Sequence, residues 1–435
     1  MKTNEVIPVK KRMILLFLCI LLVVSQSGCS LMTDSAISYI DAETDISELS
    51  DATIDTIVEN IVNGMSLDEQ IGQMFMVDLK TFDLSKKSIK KGTLSNKIKK
   101  NLELYPVGGI LLYGSDAKSK SQMKKLTSAL QKQSSLPLFL AVSEEGGTMS
   151  PLSSKKKMGL SAYPSAQELG TMQNTDQVRQ NGETLAAELL DLGINLDLAP
   201  VCDLAASTEP ESSAVAELGS RLYGSDAKTV AKVVKAQVKG MVSQGIGVTL
   251  KHFPGQGSAS SDTRISAANL TRSIEQLRSE DFLPFQSGIK AGAQVVMMSQ
   301  TASSLVTGDT KPACMSKVWV NSVLREELGF DGVVMTNTMN MSTITTQYTS
   351  KEVAVNCVNA GVDVILSPDD LEEAYDGLLD AVKKGTVKKE RIQSAVRRII
   401  RLKLKLGILP LDSQIVIKAS QNSYEKIGEQ EKQGK

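Results

Sequence analysis

Residues 250–264, read as LKHFPGQGSASSDTR, combine the residue types that acid–base and ligand-binding chemistry need. The stretch holds His252, the only histidine in the chain, beside Lys251, and it ends with Asp262 and Arg264. A short β-branched run precedes it, so the sequence predicts a loop that leaves a buried strand. A cation, an imidazole and a carboxylate after a strand are typical of a barrel active site. An ordinary turn with a surface salt bridge is the alternative interpretation.

Eight short apolar runs recur along the chain, with amphipathic segments between them. The runs cover residues 75–77, 109–112, 138–142, 196–199, 248–250, 295–298, 333–335 and 364–366. Strands buried on both faces have this composition and belong to parallel sheets. The pattern predicts an α/β protein with a TIM-type (β/α)8 barrel over residues 55–410; a doubly wound open sheet is the alternative.

The segments between these runs have the spacing of helices. They include 122–133, 178–192, 227–244, 273–291 and 316–328, and Ser66 with Glu69 forms a capping box that predicts a helix start. Residues 387–406 form a basic amphipathic segment, which we expect to pack on the barrel rather than on a membrane.

The barrel prediction places chemistry directly after the strand ends. For Ser299, Thr336 and Ser367 we prefer turn chemistry or helix capping as the explanation. Asp203 and Lys251 are better candidates for a pocket. The polar positions after the runs are Asp78, Tyr113, 143–147, Asp203, Lys251, His252, Ser299, Gln300, Thr336, Asn337 and Ser367.

The N-terminus has the pattern of an export signal. A basic segment ending at Arg12 precedes the apolar run 13–24, and small residues lead to Cys29. Residues 1–29 are therefore predicted to be a signal peptide, and its Ser-Gly-Cys end resembles a lipobox. This resemblance predicts that Cys29 is lipidated and that the protein is an extracytoplasmic, membrane-anchored bacterial lipoprotein. A plain secretion signal or an uncleaved anchor is the alternative. Residues 30–54 are predicted to be a tether and 411–435 a polar tail.

Composition excludes some partners and sites. Lys plus Arg equals Asp plus Glu at 49 each and aromatic residues make up 4%, which argues against nucleic acid. Cys202, Cys314 and Cys357 show no metal-ligand spacing and are predicted to be small buried apolar groups. We expect no metal.

Several motifs occur in an order that resembles a known family. They are PVGGILL at 106–112, AVSEEGG at 141–147, APVCD at 199–203, KHFPGQG at 251–257, GFDGVVMTN at 329–337 and AGVD at 360–363. Together they resemble the N-terminal barrel of glycoside hydrolase family 3, in its β-N-acetylhexosaminidase branch, over residues 55–408. The resemblance implies a single barrel domain without the C-terminal sandwich domain that many family 3 β-glucosidases carry, and no cofactor.

The family's chemistry implies roles for particular positions. A carboxylate attacks the anomeric carbon and a proton donor assists the leaving oxygen. By the resemblance, the nucleophile position is Asn337 and the acid/base position is Arg264, in Asp262-Thr263-Arg264. A carboxamide has no anionic oxygen, and a guanidinium stays protonated, so neither can perform its role.

Other positions of the implied sugar site are also changed. By the resemblance, Ser143 stands where the family has its sugar-binding aspartate, and Thr148 stands where that motif has an arginine. Gln256 and Gln300 stand where the family has histidines. The residues that retain the family's pattern are Glu145, Asp203, Arg221, Lys251, His252 and Asp262.

Three functions fit these residues. The first is a hydrolytically inactive surface protein that binds a GlcNAc-containing or acidic cell-wall glycan, such as a peptidoglycan fragment, through Ser143, Glu145, Asp203, Arg221, Lys251 and His252. The second is an active retaining β-N-acetylhexosaminidase that uses a displaced carboxylate, Glu144 or Glu145, or substrate assistance. The third is a scaffold or partner-binding lipoprotein whose pocket is vestigial.

Overall fold

The structure is a computed structural model that describes residues 46–84, 87–172, 174–205, 218–261, 263, 268–413 and 416. Its centre is a closed barrel of eight parallel strands in the order β1 to β8, with β8 pairing back to β1. The predicted (β/α)8 barrel is therefore confirmed. The strands are β1 (Phe75–Asp78), β2 (Gly109–Leu111), β3 (Phe139–Val142), β4 (Leu196–Asp197), β5 (Gly247–Phe253), β6 (Val295–Met298), β7 (Val333–Thr338) and β8 (Val364–Leu366).

All eight predicted apolar runs form strands, and nearly all of their side chains are buried. Because helices cover the outside of the barrel, both faces of each strand are shielded from water. Three strands extend further than the apolar runs indicate, and β1 does so by one residue, Asp78. β5 continues through Lys251 and His252 to Phe253, and β7 includes Asn337. The prediction that Lys251 and His252 lie in a loop was therefore wrong, because the pairing of β5 with β6 continues at Lys251 and, after a register shift at His252, at Phe253.

Helices alternate with the strands and run back along the outside of the barrel. The described α-helices are Asp51–Gly64, Leu67–Gln73, Leu79–Phe82, Asn96–Leu104, Lys120–Gln133, Ala166–Thr171, Thr175–Asp191, Ala227–Val242, Ile274–Gln276, Phe282–Lys290, Ser304–Thr307, Ser342–Thr345, Ser350–Ala360, Leu371–Lys383 and Lys389–Lys405. Leu277–Asp281 and Val318–Glu327 have the wider turns of a π-helix.

Sequence signals at the helix ends have the expected geometry. The predicted capping box is present, since the Ser66 hydroxyl accepts from the Glu69 backbone N–H and the Glu69 carboxylate accepts from the Ser66 N–H. The last helix, Lys389–Lys405, buries the apolar face that its spacing predicts and packs on Asp51–Gly64 and Leu67–Gln73. It therefore closes the barrel's outer layer.

The core beneath β5 is aromatic. The Phe253 ring lies 5.4 Å from that of Phe282, 5.2 Å from that of Phe285 and 6.3 Å from that of Trp319. These contacts fix the strand that carries Lys251 and His252.

Several predicted features lie outside the described residues. These are the signal peptide with Cys29, residues 30–45 of the predicted tether and most of the tail, together with Asp262 and Arg264. Among the helices that the structure describes, none is long and apolar enough to span a bilayer.

Candidate functional site

A cavity of about 630 Å³ opens at the carboxyl ends of the barrel strands. The sequence analysis predicts chemistry at this edge, and most of the candidate residues line the cavity. Its walls include Leu112, Tyr113, Gly114, Ser143, Glu145, Thr148, Met149, Lys155, Leu198, Arg221, Lys251, His252, Met297, Asn337, Met341 and Leu366.

Glu145 is held by two cations on one wall of the cavity. Arg221 Nε and Nη2 donate to its two carboxylate oxygens at 2.7 and 3.0 Å, and Lys251 Nζ lies 2.5 Å from Oε1. Burial alone would raise the pKa of Glu145, but Lys251 and Arg221 outweigh it and lower the pKa to about 2. Glu145 is therefore an ionised structural anchor for both cations at neutral pH.

Ser143 fills the position where the resemblance implies a sugar-binding aspartate. Its hydroxyl accepts from Lys251 Nζ at 2.7 Å and lies 3.2 Å from Glu145 Oε1 and 3.3 Å from the Leu198 carbonyl oxygen. A neutral hydroxyl here leaves Lys251 with one carboxylate partner. Compared with the aspartate that the resemblance implies, Ser143 gives the cavity wall one negative charge fewer.

His252 is paired with a carboxylate that lies behind the cavity wall. Its Nδ1 is 2.7 Å from Asp203 Oδ2, and the Asp203 side chain is fully buried. Burial lowers the pKa of His252, and Asp203 only partly opposes this, so the ring is neutral near pH 7. Because a carboxylate accepts, Nδ1 carries the proton and Nε2 is left as a hydrogen-bond acceptor for a ligand.

Asp203 also fixes the start of the loop after β5. It accepts from the backbone N–H groups of His252 and, at 2.7 Å, Gln256. Next to this contact, a β-carbon at Gly257 would lie 1.6 Å from the Leu204 carbonyl oxygen, so only glycine fits. The backbone that leads toward position 264 is therefore held closely against the β4 loop.

Asn337, the position of the implied nucleophile, lines the cavity at the end of β7. Its side-chain oxygen accepts from the Thr338 backbone N–H at 2.8 Å. The carboxamide is thus half-buried and already bonded to its own strand. No anionic oxygen is available at this point of the wall.

The two glutamines at implied histidine positions make structural contacts. Gln256 Nε2 donates to Thr263 Oγ1 at 2.6 Å, and Gln256 is 2% exposed. Gln300 Nε2 donates to the Thr338 carbonyl oxygen. Both side chains support the backbone around the cavity, and neither is among its lining residues.

Glu144, one of the two carboxylates considered as a displaced nucleophile, points away from the cavity. It is fully buried and accepts from the Leu152 N–H at 2.9 Å and from the Ser153 hydroxyl at 2.6 Å. Its own backbone N–H donates to Asp197. Burial raises the pKa of Glu144, although the bonds from Ser153 and Leu152 oppose this. Glu144 therefore braces the loop that carries Glu145.

Two residues near the cavity have roles that the sequence analysis missed. Lys155 lines the cavity beside Gly114, but it belongs to a run of three lysines, a pattern that usually means a solvated surface. Asp197 is fully buried in β4 behind Glu144, and burial raises its pKa. A carboxylate inside an apolar run is the signal that could have identified Asp197.

The charges that line the cavity are mainly positive. Among its described lining residues, Lys155, Arg221 and Lys251 are cations, and Glu145 is the only carboxylate. The part of the chain that the structure describes contains no cluster of His, Cys, Asp and Glu side chains suited to a metal ion. The cations on one wall can donate hydrogen bonds to a ligand and attract a negative charge on it. His252 can accept a hydrogen bond from the ligand.

Comparison with known proteins agrees with this architecture. Residues 66–402 match the glycosyl hydrolase family 3 N-terminal domain. The chain is 34% identical to a beta-hexosaminidase of Xylella fastidiosa over 270 residues, which cover 60% of this chain and 76% of that protein. It is 32% identical to a beta-hexosaminidase of Stenotrophomonas maltophilia over 279 residues, covering 62% and 78% of the two chains.

Solved structures show the same likeness. A glycoside hydrolase family 3 beta-N-acetylglucosaminidase of a Paenibacillus species has a TM-score of 0.72 and 27% identity, covering 82% of this chain and 68% of that one. The beta-N-acetylhexosaminidase of Beutenbergia cavernae has a TM-score of 0.65 and 28% identity, covering 77% and 98%. The barrel, the matched domain and these relatives together establish that the chain belongs to glycosyl hydrolase family 3, with a β-hexosaminidase-like N-terminal domain.

Proposed function

We propose that the protein is a hydrolytically inactive family 3 barrel that binds a GlcNAc-containing or acidic cell-wall glycan at the outer face of the membrane. The observation that carries the proposal is Asn337 on the cavity wall, with its amide oxygen bonded to the Thr338 N–H. The relatives are named for hexosaminidase activity. These relatives support the proposed glycan class, and this chain's own residues support the proposed inactivity.

Loss of hydrolysis is supported at the two reacting positions. A retaining glycosidase needs an anionic oxygen that bonds to the anomeric carbon, and the amide of Asn337 cannot supply one. Removing a covalent nucleophile lowers the rate roughly ten-thousand- to a million-fold. Arg264 holds its proton at any physiological pH, so it cannot act first as an acid and then as a base.

Binding is supported by what the cavity retains. Lys251 and Arg221 are held rigidly by Glu145, so ligand binding costs them little conformational freedom. His252 offers an acceptor for a sugar hydroxyl or an acetamido N–H. The excess of positive charge favours a sugar that bears a carboxylate, such as a lactyl-substituted muropeptide.

Calorimetry tests the proposed binding. We expect heat of binding with a muropeptide or another acidic glycan, weaker binding of N-acetylglucosamine, and no turnover of a chromogenic N-acetylglucosaminide. Lys155→Gln, at the cavity, is expected to weaken binding of the acidic ligand several-fold. Lys156→Gln is the matched control, since Lys156 is exposed and does not line the cavity. If none of these ligands binds, the proposal is wrong.

An active hydrolase is the second candidate, and the presence of Glu145 in the cavity wall favours it. The oxygens of Glu145 are occupied by Arg221 and Lys251, which must release it before it can attack. The test measures turnover in the unchanged protein, in Asn337→Ala and in Glu145→Gln. Turnover in the unchanged protein well above that of Asn337→Ala would support this candidate, provided that a folded Glu145→Gln variant has none.

Attachment through Cys29 is part of the proposal, and the lipobox-like sequence before Cys29 supports it. Expression in a bacterial host with a labelled fatty acid tests it directly. We expect label in the unchanged protein and none in Cys29→Ser, with Cys19→Ser as a control that keeps its label. Release of unlabelled protein from both variants and the parent would contradict lipidation.

A further inference from the structure

The charge of the chain is distributed very unevenly, although its net value is zero. Residues 80–157 contain sixteen of the 49 basic residues and only five of the 49 acidic ones. All sixteen are lysines, while the eleven arginines of the chain lie elsewhere. One flank of the barrel, around β1, β2 and β3, therefore carries most of the positive excess.

The structure brings four of these lysines together from three segments. We call Lys90, Lys91, Lys118 and Lys125 the lysine face. The Gln122 side chain joins the segments, because its Nε2 donates to the Ile89 carbonyl at 2.7 Å and its Oε1 accepts from the Lys118 N–H at 2.8 Å.

A glycine brings the third segment into contact. A β-carbon at Gly92 would lie 2.8 Å from the Lys125 Cβ, so the turn that carries Lys90 and Lys91 packs directly on helix Lys120–Gln133. Gly92 has a φ of 75°, which suits glycine as well. The four lysines are therefore fixed as neighbours by buried contacts beneath them.

The charges of the lysine face are exposed and uncompensated. All four side chains are exposed, and none has an ion-pair partner among the residues that the structure describes. By contrast, Lys120 and Lys124 on the same helix both pair with Asp191, at 2.8 and 2.6 Å. Clustered like charges destabilise a fold through mutual repulsion. An anionic partner bound to the lysine face would lower this repulsion energy.

The absence of arginine on this flank indicates the kind of partner. Arginine forks bind one carboxylate or phosphate with fixed geometry, whereas lysine ammonium groups on flexible stems respond to charge density. Small anions need a convergent pocket, and these four ammonium groups stand on the surface of three segments. A partner with repeated charges can contact all of them at once.

A linear polymer fits the lysine face better than a lipid surface. Helical faces that insert into membranes carry large apolar side chains beside their lysines. Within residues 80–157 the exposed large apolar side chains are Leu84 and Leu104, and neither directly flanks one of the four lysines. The positive flank also continues to Lys155, which lines the cavity, so the polymer would pass along the cavity's rim.

We infer that the lysine face binds a linear polyanion, an extended polymer with closely repeated phosphate or carboxylate groups. This inference does not depend on what the cavity binds or on whether the barrel hydrolyses it. Because the attraction is electrostatic, its strength should fall steeply with salt.

The test compares two fourfold variants that lose the same charge. The first carries Lys90→Gln, Lys91→Gln, Lys118→Gln and Lys125→Gln. The control carries Lys228→Gln, Lys232→Gln, Lys235→Gln and Lys239→Gln, four exposed lysines on helix Ala227–Val242 between β4 and β5. Binding to inorganic polyphosphate and to polyglutamate is measured at about 50 and 200 mM salt, where screening differs clearly.

We expect the unchanged protein to bind both polymers, the first variant to lose about tenfold or more in affinity at low salt, and the control to lose less than about threefold. Equal losses in both variants would overturn the inference, because they would reflect net charge alone. Absence of polymer binding would overturn it too. Binding to vesicles with 30% phosphatidylglycerol but to neither polymer would assign the face to a membrane instead.

Discussion

The Glu145 carboxylate and the Lys251 ammonium lie 2.5 Å apart in the cavity wall, and both side chains are at least 96% buried. This pair joins the loop after β3 to the end of β5, and Arg221 extends it to the segment after β4. These three residues therefore brace the carboxyl ends of β3, β4 and β5 against one another.

Glu145→Gln should destabilise the protein strongly. It leaves Lys251 and Arg221 buried without an anion, which typically costs about 3–5 kcal/mol. Glu183→Gln is the matched control, because Glu183 pairs with Arg179 on the surface and such pairs contribute about 0.5 kcal/mol or less. Urea unfolding at pH 7 measures both. Similar small losses in the two variants would show that the buried pair contributes little.

The same pair should contribute a pH dependence of known sign. The pKa of Glu145 is lowered to about 2 in the folded protein, so its contribution to the free energy of unfolding is fully present above its ordinary value of 4.5. It is lost as the pH falls from 4.5 through 2. The difference in unfolding free energy between the parent and Glu145→Gln should therefore shrink over this window and stay constant between pH 5 and 7. A difference that grows on acidification would contradict the ion pair.

Restoring the two reacting groups should restore hydrolysis. Asn337→Asp places an anionic oxygen at the cavity wall, and Arg264→His supplies a group that can exchange a proton. We expect turnover of a chromogenic N-acetylglucosaminide to rise about a thousandfold or more over the parent. Asn337→Ala with Arg264→His is the control without a nucleophile. If the restored protein folds, binds the sugar and still does not turn over, the scaffold has lost more than these two groups.

A buried lysine at the opposite end of the barrel predicts a second pH dependence. Lys403 Nζ donates to Gln73 Oε1 at 2.6 Å and stands over the Phe139 ring, and no carboxylate pairs with it in the described chain. Burial lowers the pKa of Lys403 to about 7. The unfolded chain keeps its proton up to about pH 10.5, so the free energy of unfolding should rise between pH 7 and 10.

The slope of stability against pH is the quantity to measure. Lys403→Met should flatten it, whereas Lys405→Met, on the exposed side of the same helix, should leave it unchanged. Absolute stability is a poorer readout, because Lys403→Met also leaves Gln73 Oε1 without its donor. An unchanged slope in Lys403→Met would show that Lys403 is not the titrating group.

The three cysteines of the barrel should be unreactive in the folded protein. Cys202, Cys314 and Cys357 are fully buried, as the sequence predicts, and burial raises the pKa of Cys202 and Cys357. Thiolates are the reactive form, so alkylation mapped by mass spectrometry should label these positions only in denaturant. Ser128→Cys, on an exposed helix position, is the positive control. Labelling of Cys202 under native conditions would indicate local opening beside the cavity.

The barrel could be predicted from the sequence because each strand is apolar on both faces, as in 295–298, where all four residues are buried. The ends of β5 and β7 could not, because Lys251, His252 and Asn337 look like loop residues. Lys251 nevertheless pairs with Met297 in the sheet, while His252 and Asn337 lie inside their strands at shifts of the pairing register. An apolar run predicts which part of a strand is buried, but it does not predict the residue at which the strand ends.

The candidate site could be predicted only in part, because some of its contacts join residues that are far apart in the sequence. Ser143, Glu145, Lys251, His252 and Asn337 are predicted as a group and line one cavity. The ion pair between Glu145 and Arg221 spans 76 positions, a separation that no local pattern reports. Lys155 could not be identified as a cavity residue, because a run of lysines has the same sequence pattern whether it faces solvent or a pocket.

Gly257 lies so close to the Leu204 carbonyl oxygen that no other residue fits without moving the backbone. The backbone at Gly257 is thus fixed independently of which side chains line the cavity. In evolutionary terms, side chains in the cavity can be exchanged while this backbone contact persists, so two substitutions, at positions 264 and 337, would suffice to test the chemistry that the family resemblance implies.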